Sequence, residues 1–182
     1  TAECGGKSPH IVFADGVDLD AAADSIAQLI LLNQGQVCSI GTRLLVQRAI
    51  ETTLIDKVAS RLRHIVPGDA LDSKTTFGPL VTAKQCAKVM QYIETAPEQG
   101  AELVTGGGRL LAETGGYFVE PTLFRNVSAN ARIAQEEIFG PVLSVTSFKD
   151  REEAIHLANN TPYGLAAYVW TANLATSMKM AK

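Results

Sequence analysis

Positive charge is not in excess in this sequence. The chain has 16 Lys and Arg residues against 19 Asp and Glu residues, which gives a formal net charge of -3. The basic residues are also scattered along the chain, so no patch is expected that could neutralise the phosphates of DNA or RNA. We therefore expect no nucleic-acid partner.

Long apolar runs are absent as well. The longest aliphatic run, at residues 29–32, is far shorter than the roughly 20 residues that a membrane-spanning helix needs. Residues 1–20 do not show the basic segment followed by an apolar segment that is typical of a signal peptide. We expect no membrane partner.

Cysteine is scarce and widely spaced. The chain has 3 cysteines, Cys4, Cys38 and Cys86, and this odd number argues against a disulfide framework. It favours a reducing compartment, so the expected location is cytoplasmic. The 3 histidines show no ligand spacing with one another or with the cysteines, so no metal site is expected.

Several catalytic and phosphate-binding motifs are missing. No G-x-S-x-G motif occurs, which argues against a serine hydrolase. The G-K-S at residues 6–8 lacks both the upstream glycine and the following helix of a P-loop. The three glycines at 106–108 do not continue into G-x-G-x-x-G and are better interpreted as a flexible turn.

Segments that are present alternate between strand and helix patterns. Short runs rich in β-branched residues predict strands, and amphipathic segments beginning at Asp18, Thr82 and Asp150 predict helices. The predicted strands include residues 10–14, 43–47, 101–105, 142–148 and 165–170, and the predicted helices include 19–32, 50–65, 150–160 and 173–182. Residues 117–124, interrupted by Pro121, are expected to form edge strands. This alternation predicts a three-layer α/β/α fold with a mostly parallel sheet.

Cys38 lies in a polar bend between a predicted helix and a predicted strand. Such junctions are where rigid scaffolds present reactive groups, and a thiolate at this position could act as a nucleophile. The alternative is that Cys38 is a small buried hydrophobe, which is common for a single cysteine. Composition and spacing alone leave both interpretations open.

Two other turns carry candidate functional groups. Glu3 stands beside a glycine pair, and Glu137 stands close to Phe139 in an acidic and aromatic turn. A thiol nucleophile that forms an acyl intermediate needs a carboxylate to activate water for its hydrolysis. Each group also has a simpler explanation. Glu3 could be a solvated carboxylate, Glu137 a charge at the end of a helix, and Phe139 an aromatic ring in the core.

Four motifs resemble those of the NAD(P)-dependent aldehyde dehydrogenase family, in the family's order and spacing. E-C-G-G-K-S-P at residues 3–9 is similar to its glutamate motif and N-Q-G-Q-V-C at 33–38 to its cysteine motif. E-E-I-F-G-P at 136–141 resembles its cofactor-ribose motif, and N-N-T-P-Y-G-L at 159–165 matches a further family stretch. The resemblance covers the whole chain.

This resemblance implies a catalytic role for two residues. Cys38 would attack the aldehyde carbon to give a thiohemiacetal, whose oxyanion is held in part by its own backbone N–H. After hydride transfer to the nicotinamide, Glu3 would act as the general base that activates water to hydrolyse the thioester. The implied overall reaction is oxidation of an aldehyde to a carboxylic acid.

The resemblance also implies contacts with NAD or NADP, of which NAD is expected. Glu137 would hydrogen-bond the nicotinamide ribose, Phe139 would pack beside it, and Gln85 would lie near the cofactor. The backbone at Cys4 would face the nicotinamide ring, although the family usually has leucine there. Cys86, within a helical pattern, is expected in the core.

The same resemblance implies that residues 1–182 are a partial catalytic domain. The family's cofactor-binding and oligomerisation segments have no counterpart here, so the isolated chain is expected to be inactive and its full-length parent to be a homo-oligomer. The cysteine motif is similar to that of bacterial enzymes acting on amino- and guanidino-aldehydes. Two rivals stay open: a non-catalytic structural or binding relative, and a cysteine hydrolase, which would need a histidine base.

Overall fold

A computed structural model describes residues 4–182 of the chain. It contains eight strands and six α-helices, with short 3₁₀ turns between some of them. The strands are β1 (Pro9–Val12), β2 (Arg43–Gln47), β3 (Glu102–Thr105), β4 (Arg109–Leu110), β5 (Phe118–Val119), β6 (Thr122–Arg125), β7 (Val142–Phe148) and β8 (Tyr168–Trp170). The helices are α1 (Leu19–Leu31), α2 (Glu51–Leu62), α3 (Ala83–Thr95), α4 (Arg132–Gln135), α5 (Arg151–Asn159) and α6 (Leu174–Met180).

Six strands form the main sheet, in the order β3-β6-β7-β2-β1-β8. All neighbouring strands in it are parallel except β3 and β6, which are antiparallel. The mostly parallel sheet that the sequence predicts is therefore confirmed. Strands β1 and β2 are direct neighbours, so the loops that enter them lie at the same edge of the sheet.

Helices cover both faces of this sheet. In β1, Val12 packs with Ile26 of α1 and Val58 of α2, whereas the preceding residue, Ile11, packs with Ala154 of α5 on the opposite face. Successive residues of a strand point to opposite faces, so a strand buried on both sides is apolar throughout. The predicted three-layer α/β/α architecture is confirmed.

The helix starts were predictable because their capping side chains stand in the sequence. The carboxylate of Asp18 accepts hydrogen bonds from the first turn of α1, the Thr82 hydroxyl from Gln85 N, and the Asp150 carboxylate from Glu153 N. Each cap satisfies backbone N–H groups that have no partner within the helix.

None of the helices that the structure describes combines the length and apolar content required to cross a membrane.

The expectation that Pro121 marks edge strands is wrong for the main sheet. Pro121 lies between β5 and β6, and β6 is flanked by both β3 and β7. A proline immediately before a strand removes no ladder hydrogen bond, so the strand that follows can be central. The predicted strand at 165–170 is also shorter than expected, since β8 comprises only Tyr168–Trp170.

Candidate active site

Cys38 follows a tight reversal at the end of α1. Asn33, Gln34 and Gly35 all have left-handed backbone conformations, with φ of 48°, 56° and 75°. Asn and Gly tolerate this region best, while Gln34 needs support from its surroundings. The reversal turns the chain back toward β2 and places Cys38 in the loop that enters that strand.

Gln36 holds the Cys38 loop in shape. Its Nε2 donates to the Asn33 carbonyl at 3.1 Å, and its Oε1 accepts from the backbone N of Val81 at 3.0 Å. In return, Nδ2 of Asn33 donates to the Gln36 carbonyl at 3.0 Å. These bonds tie the loop both to itself and to the segment before α3.

Two glycines allow the neighbouring loops to approach the Cys38 loop closely. A Cβ on Gly6 would overlap the Cys38 carbonyl, and a Cβ on Gly35 would overlap the backbone of Gly140. The Cys38 loop is therefore in backbone contact with both the 3–9 motif and the 136–141 motif. These three motifs meet here, and the fourth packs on Gly5 and Gly6 through Tyr163 and Leu165.

The turn that carries Glu137 and Phe139 is held from α3. Nε2 of Gln85 donates to the carbonyls of Ile138 and Phe139 at 2.9 and 2.7 Å, and Nζ of Lys88 donates to the Glu137 carbonyl at 2.9 Å. Phe139 has a φ of 59°, which is unusual for a bulky side chain. The donors from α3 stabilise this strained turn.

The Glu137 carboxylate lies over the glycine pair of the 3–9 motif. Its Oε1 accepts a hydrogen bond from the backbone N of Gly6 at 2.9 Å. Its Oε2 lies 2.8 Å from the position that a Cβ on Gly5 would take, so any larger residue would displace the carboxylate. A carboxylate has about four acceptor positions, so Glu137 retains capacity for a further donor.

An open cavity of about 440 Å³ lies where these loops converge. It is lined by Cys4, Gly5, Gln36, Val37, Cys38, Glu137 and Phe139. Cys38 is partly exposed at this cavity, whereas Cys86 is buried in the core as predicted. Gln85 is not one of the lining residues; it lies behind the turn, in contact with its backbone.

The buried Arg43 ties the 3–9 motif, which includes the buried Lys7, to the end of α5. Arg43 donates from Nε to the Lys7 carbonyl at 2.8 Å and from its terminal nitrogens to the Leu157 and Ala158 carbonyls at 3.0 and 2.8 Å. Burial lowers the pKa of Arg43 to about 10. Burial, followed by the charge of Arg43, lowers the pKa of Lys7 to about 7.

Four of the six predicted site residues, Cys4, Cys38, Glu137 and Phe139, come together at one cavity. Glu3, the expected general base, lies outside the described residues. Sequence reasoning missed the supporting residues Gln36, Lys88 and Arg43. Only Gln36 carried a usable signal, because it lies within the cysteine motif; the other two bond to backbone carbonyls remote in sequence.

A mostly parallel α/β fold in which a partly exposed cysteine, a carboxylate and an aromatic residue line one cavity has the features of a nucleophilic cysteine site. The model of the aldehyde dehydrogenase family matches residues 1–182. The chain belongs to the aldehyde dehydrogenase family.

Individual relatives agree with this assignment. The structure of the aldehyde dehydrogenase KauB from Pseudomonas aeruginosa is 53% identical with a TM-score of 0.95, over 98% of this chain and 36% of that one. The indole-3-acetaldehyde dehydrogenase AldA from P. syringae, in complex with NAD+ and IAA, is 54% identical with a TM-score of 0.95, over the same shares. Betaine aldehyde dehydrogenase from Bacillus subtilis is 44% identical over 98% of this chain and 37% of its own length. The chain thus spans little more than a third of the relatives it matches.

Proposed function

We propose that residues 1–182 form the cysteine-bearing part of an aldehyde dehydrogenase, which oxidises an aldehyde to a carboxylic acid with NAD(P)+. The observation that carries this proposal is the single cavity shared by Cys38, Glu137 and Phe139. A non-catalytic member of the family, with only a structural or binding role, would have no need of Cys38, Glu137 and Phe139 around one open cavity. On the same basis we propose that the chain is a partial catalytic domain.

The chemistry proposed for Cys38 is nucleophilic catalysis. Its thiolate would attack the aldehyde carbon and form a thiohemiacetal, and loss of hydride from that carbon would leave a thioester. The backbone N–H of Cys38 is proposed to donate to the oxyanion. The contacts of Gly6 and Gly35 support this role, since they fix the backbone from which that N–H projects.

The cavity walls have the chemistry that a nicotinamide nucleotide needs. The bound cofactor would supply the hydride acceptor. Glu137 has free acceptor capacity for ribose hydroxyls, Phe139 offers an aromatic face, and the backbone at Cys4 lines the same space. Gln85 would act through the turn that it holds. NAD is the proposed cofactor, because the P. syringae relative was solved with NAD+.

Release of the acid requires water activation. We assign this role to Glu3 on its position in the 3–9 motif, whose Gly6 packs against the Cys38 carbonyl. A carboxylate within reach of the thioester would take a proton from water as it attacks.

The substrate is proposed only as an aldehyde, since the relatives are named for chemically different aldehydes. A cytoplasmic homo-oligomer is the proposed state of the complete enzyme.

A graft tests this function. Residues 1–182 would replace the matching segment of KauB, and NADH formation would be followed with an aldehyde present. We expect turnover, and we expect it to fall by about a thousandfold or more in Cys38→Ser and Glu3→Gln grafts. The Cys86→Ser graft is the matched control and should keep its activity. A Cys38→Ser graft as active as this control would contradict the proposal.

A further inference from the structure

The cavity has two thiols rather than one. Cys4 is exposed, Cys38 is partly exposed, and both line the same open space. Cys86, the third thiol, is buried in the core against Val89 and Tyr92. The proposed nucleophile therefore shares its cavity with a second cysteine, while the remaining cysteine is shielded from it.

A backbone contact places the segment that carries Cys4 against the cysteine loop. Gly6 packs directly on the Cys38 carbonyl, and Cys4 is only two residues before Gly6. Consecutive Cα atoms are about 3.8 Å apart, and a disulfide needs Cα atoms about 4.4–6.8 Å apart. Gly5 and Gly6, the residues between Cys4 and this contact, carry no side chain that could separate the two segments.

We propose that Cys4 is a resolving thiol for Cys38, so that the pair is a site of reversible oxidation. A hydroperoxide would oxidise the Cys38 thiolate to a sulfenic acid, and its O–O bond would break to release an alcohol or water. The Cys4 thiol would then attack the sulfenic sulfur, forming the S–S bond and releasing water. Two thiols are oxidised and one hydroperoxide is reduced.

This oxidation would control the activity proposed above, and in that respect it rests on the proposed function. A disulfide at Cys38 removes the nucleophile from the cavity that the cofactor and aldehyde would use. It also protects the site, because a sulfenic acid left unpaired proceeds to sulfinic acid, which a thiol reductant does not reverse. Formation of the bond itself does not depend on turnover.

The test uses the folded 182-residue chain at low concentration with hydrogen peroxide, followed by trypsin and mass spectrometry without reduction. Cleavage after Lys7 and Arg43 separates Cys4, in peptide 1–7, from Cys38, in peptide 8–43. We expect these two peptides to be joined, and dithiothreitol to restore both thiols. Cys86→Ser is the matched control and should give the same linked peptides.

The Cys4→Ser variant tests the resolving role. We expect Cys38 in it to accumulate as sulfinic acid, with the fraction recovered by dithiothreitol reduced by roughly tenfold. Circular dichroism would verify that the variant is folded. Three results would overturn the proposal. They are equal recovery in Cys4→Ser and the unmodified chain, absence of a disulfide between peptides 1–7 and 8–43, or such a disulfide found only between two molecules. Acylation of Cys38 by an ester reports separately on the proposed function.

Discussion

Gly35 and Gly140 meet backbone to backbone, and the contact joins the cysteine loop to the turn that carries Glu137. Gly35 has a φ of 75°, and a Cβ on it would overlap the Gly140 carbonyl. On its other side, Gly140 packs against Val89 of α3. The position of the nucleophile relative to the proposed ribose-binding carboxylate therefore depends on two residues without side chains.

Gly35→Ala should separate these two loops. The variant combines left-handed strain of roughly 1–2 kcal/mol with a clash against backbone that has no rotamer to change, so we expect a loss of about 3 kcal/mol or more in unfolding free energy. Gly115→Ala is the matched control, because Gly115 has the same φ of 75° but nothing within 4 Å of its added Cβ. Urea denaturation measures both. Equal losses would show that the contact with Gly140 contributes nothing.

Gln85→Leu should loosen the turn at Phe139. The substitution removes both hydrogen bonds to the Ile138 and Phe139 carbonyls and leaves the strained turn with only the bond from Lys88 to the Glu137 carbonyl. We expect amide hydrogen exchange across residues 137–140 to become roughly tenfold faster. Gln91→Leu makes the same change at an exposed position of α3 and is the control. Similar exchange in the two variants would remove the role assigned to Gln85.

Arg43→Met should destabilise the chain by roughly 2–4 kcal/mol, because three backbone carbonyls lose a buried donor. The variant should also raise the pKa of Lys7, which the neighbouring Arg43 charge lowers. Arg48→Met, at an exposed position, is the control for the loss of a charge. Thermal and urea unfolding give the comparison, and equal midpoints for the two variants would contradict it.

His10 should make the chain less stable in mild acid. Its ring is fully buried, its Nε2 accepts from Trp170 Nε1 at 2.7 Å, and burial lowers its pKa from 6.5 to about 4. Between these pH values the unfolded chain binds the proton and the folded chain does not. Stability should therefore fall as the pH drops from 6.5 to 4, by about 3 kcal/mol in total.

The variant His10→Gln isolates this contribution from that of the carboxylates. Its unfolding free energy should depend less steeply on pH between 6.5 and 4 than that of the unmodified chain. His156→Gln makes the same substitution at an exposed position and is the matched control. If His10→Gln and the unmodified chain show parallel pH profiles, the buried ring does not titrate as described.

Most of the fold could be predicted because its signals are local. The apolar run in β1 indicated a strand buried on both faces, and Asp18, Thr82 and Asp150 marked helix starts through their own side chains. The error at Pro121 arose because a proline's effect depends on whether it stands in a strand or just before it. That difference of one residue is not visible in a hydrophobic pattern.

The candidate site could be predicted only as a set of motifs. Composition left Cys38 open between nucleophile and core residue, and the family resemblance favoured the first. The contacts that assemble the site were not predictable, because they join residues far apart in sequence: Arg43 bonds to Leu157, and Lys88 to the carbonyl of Glu137. A sequence does not show which backbone carbonyl accepts such a hydrogen bond, since every residue has one.

Acylation of Cys38 by p-nitrophenyl acetate tests the central claim most directly, because it requires the nucleophile but not the cofactor. The prediction is a burst of p-nitrophenolate close to one equivalent per chain, with the acetyl group on peptide 8–43. The burst should be lost in Cys38→Ser and kept in Cys86→Ser. Absence of a burst, or acetylation of Cys86 at the same rate as Cys38, would contradict the claim that Cys38 is an accessible nucleophile.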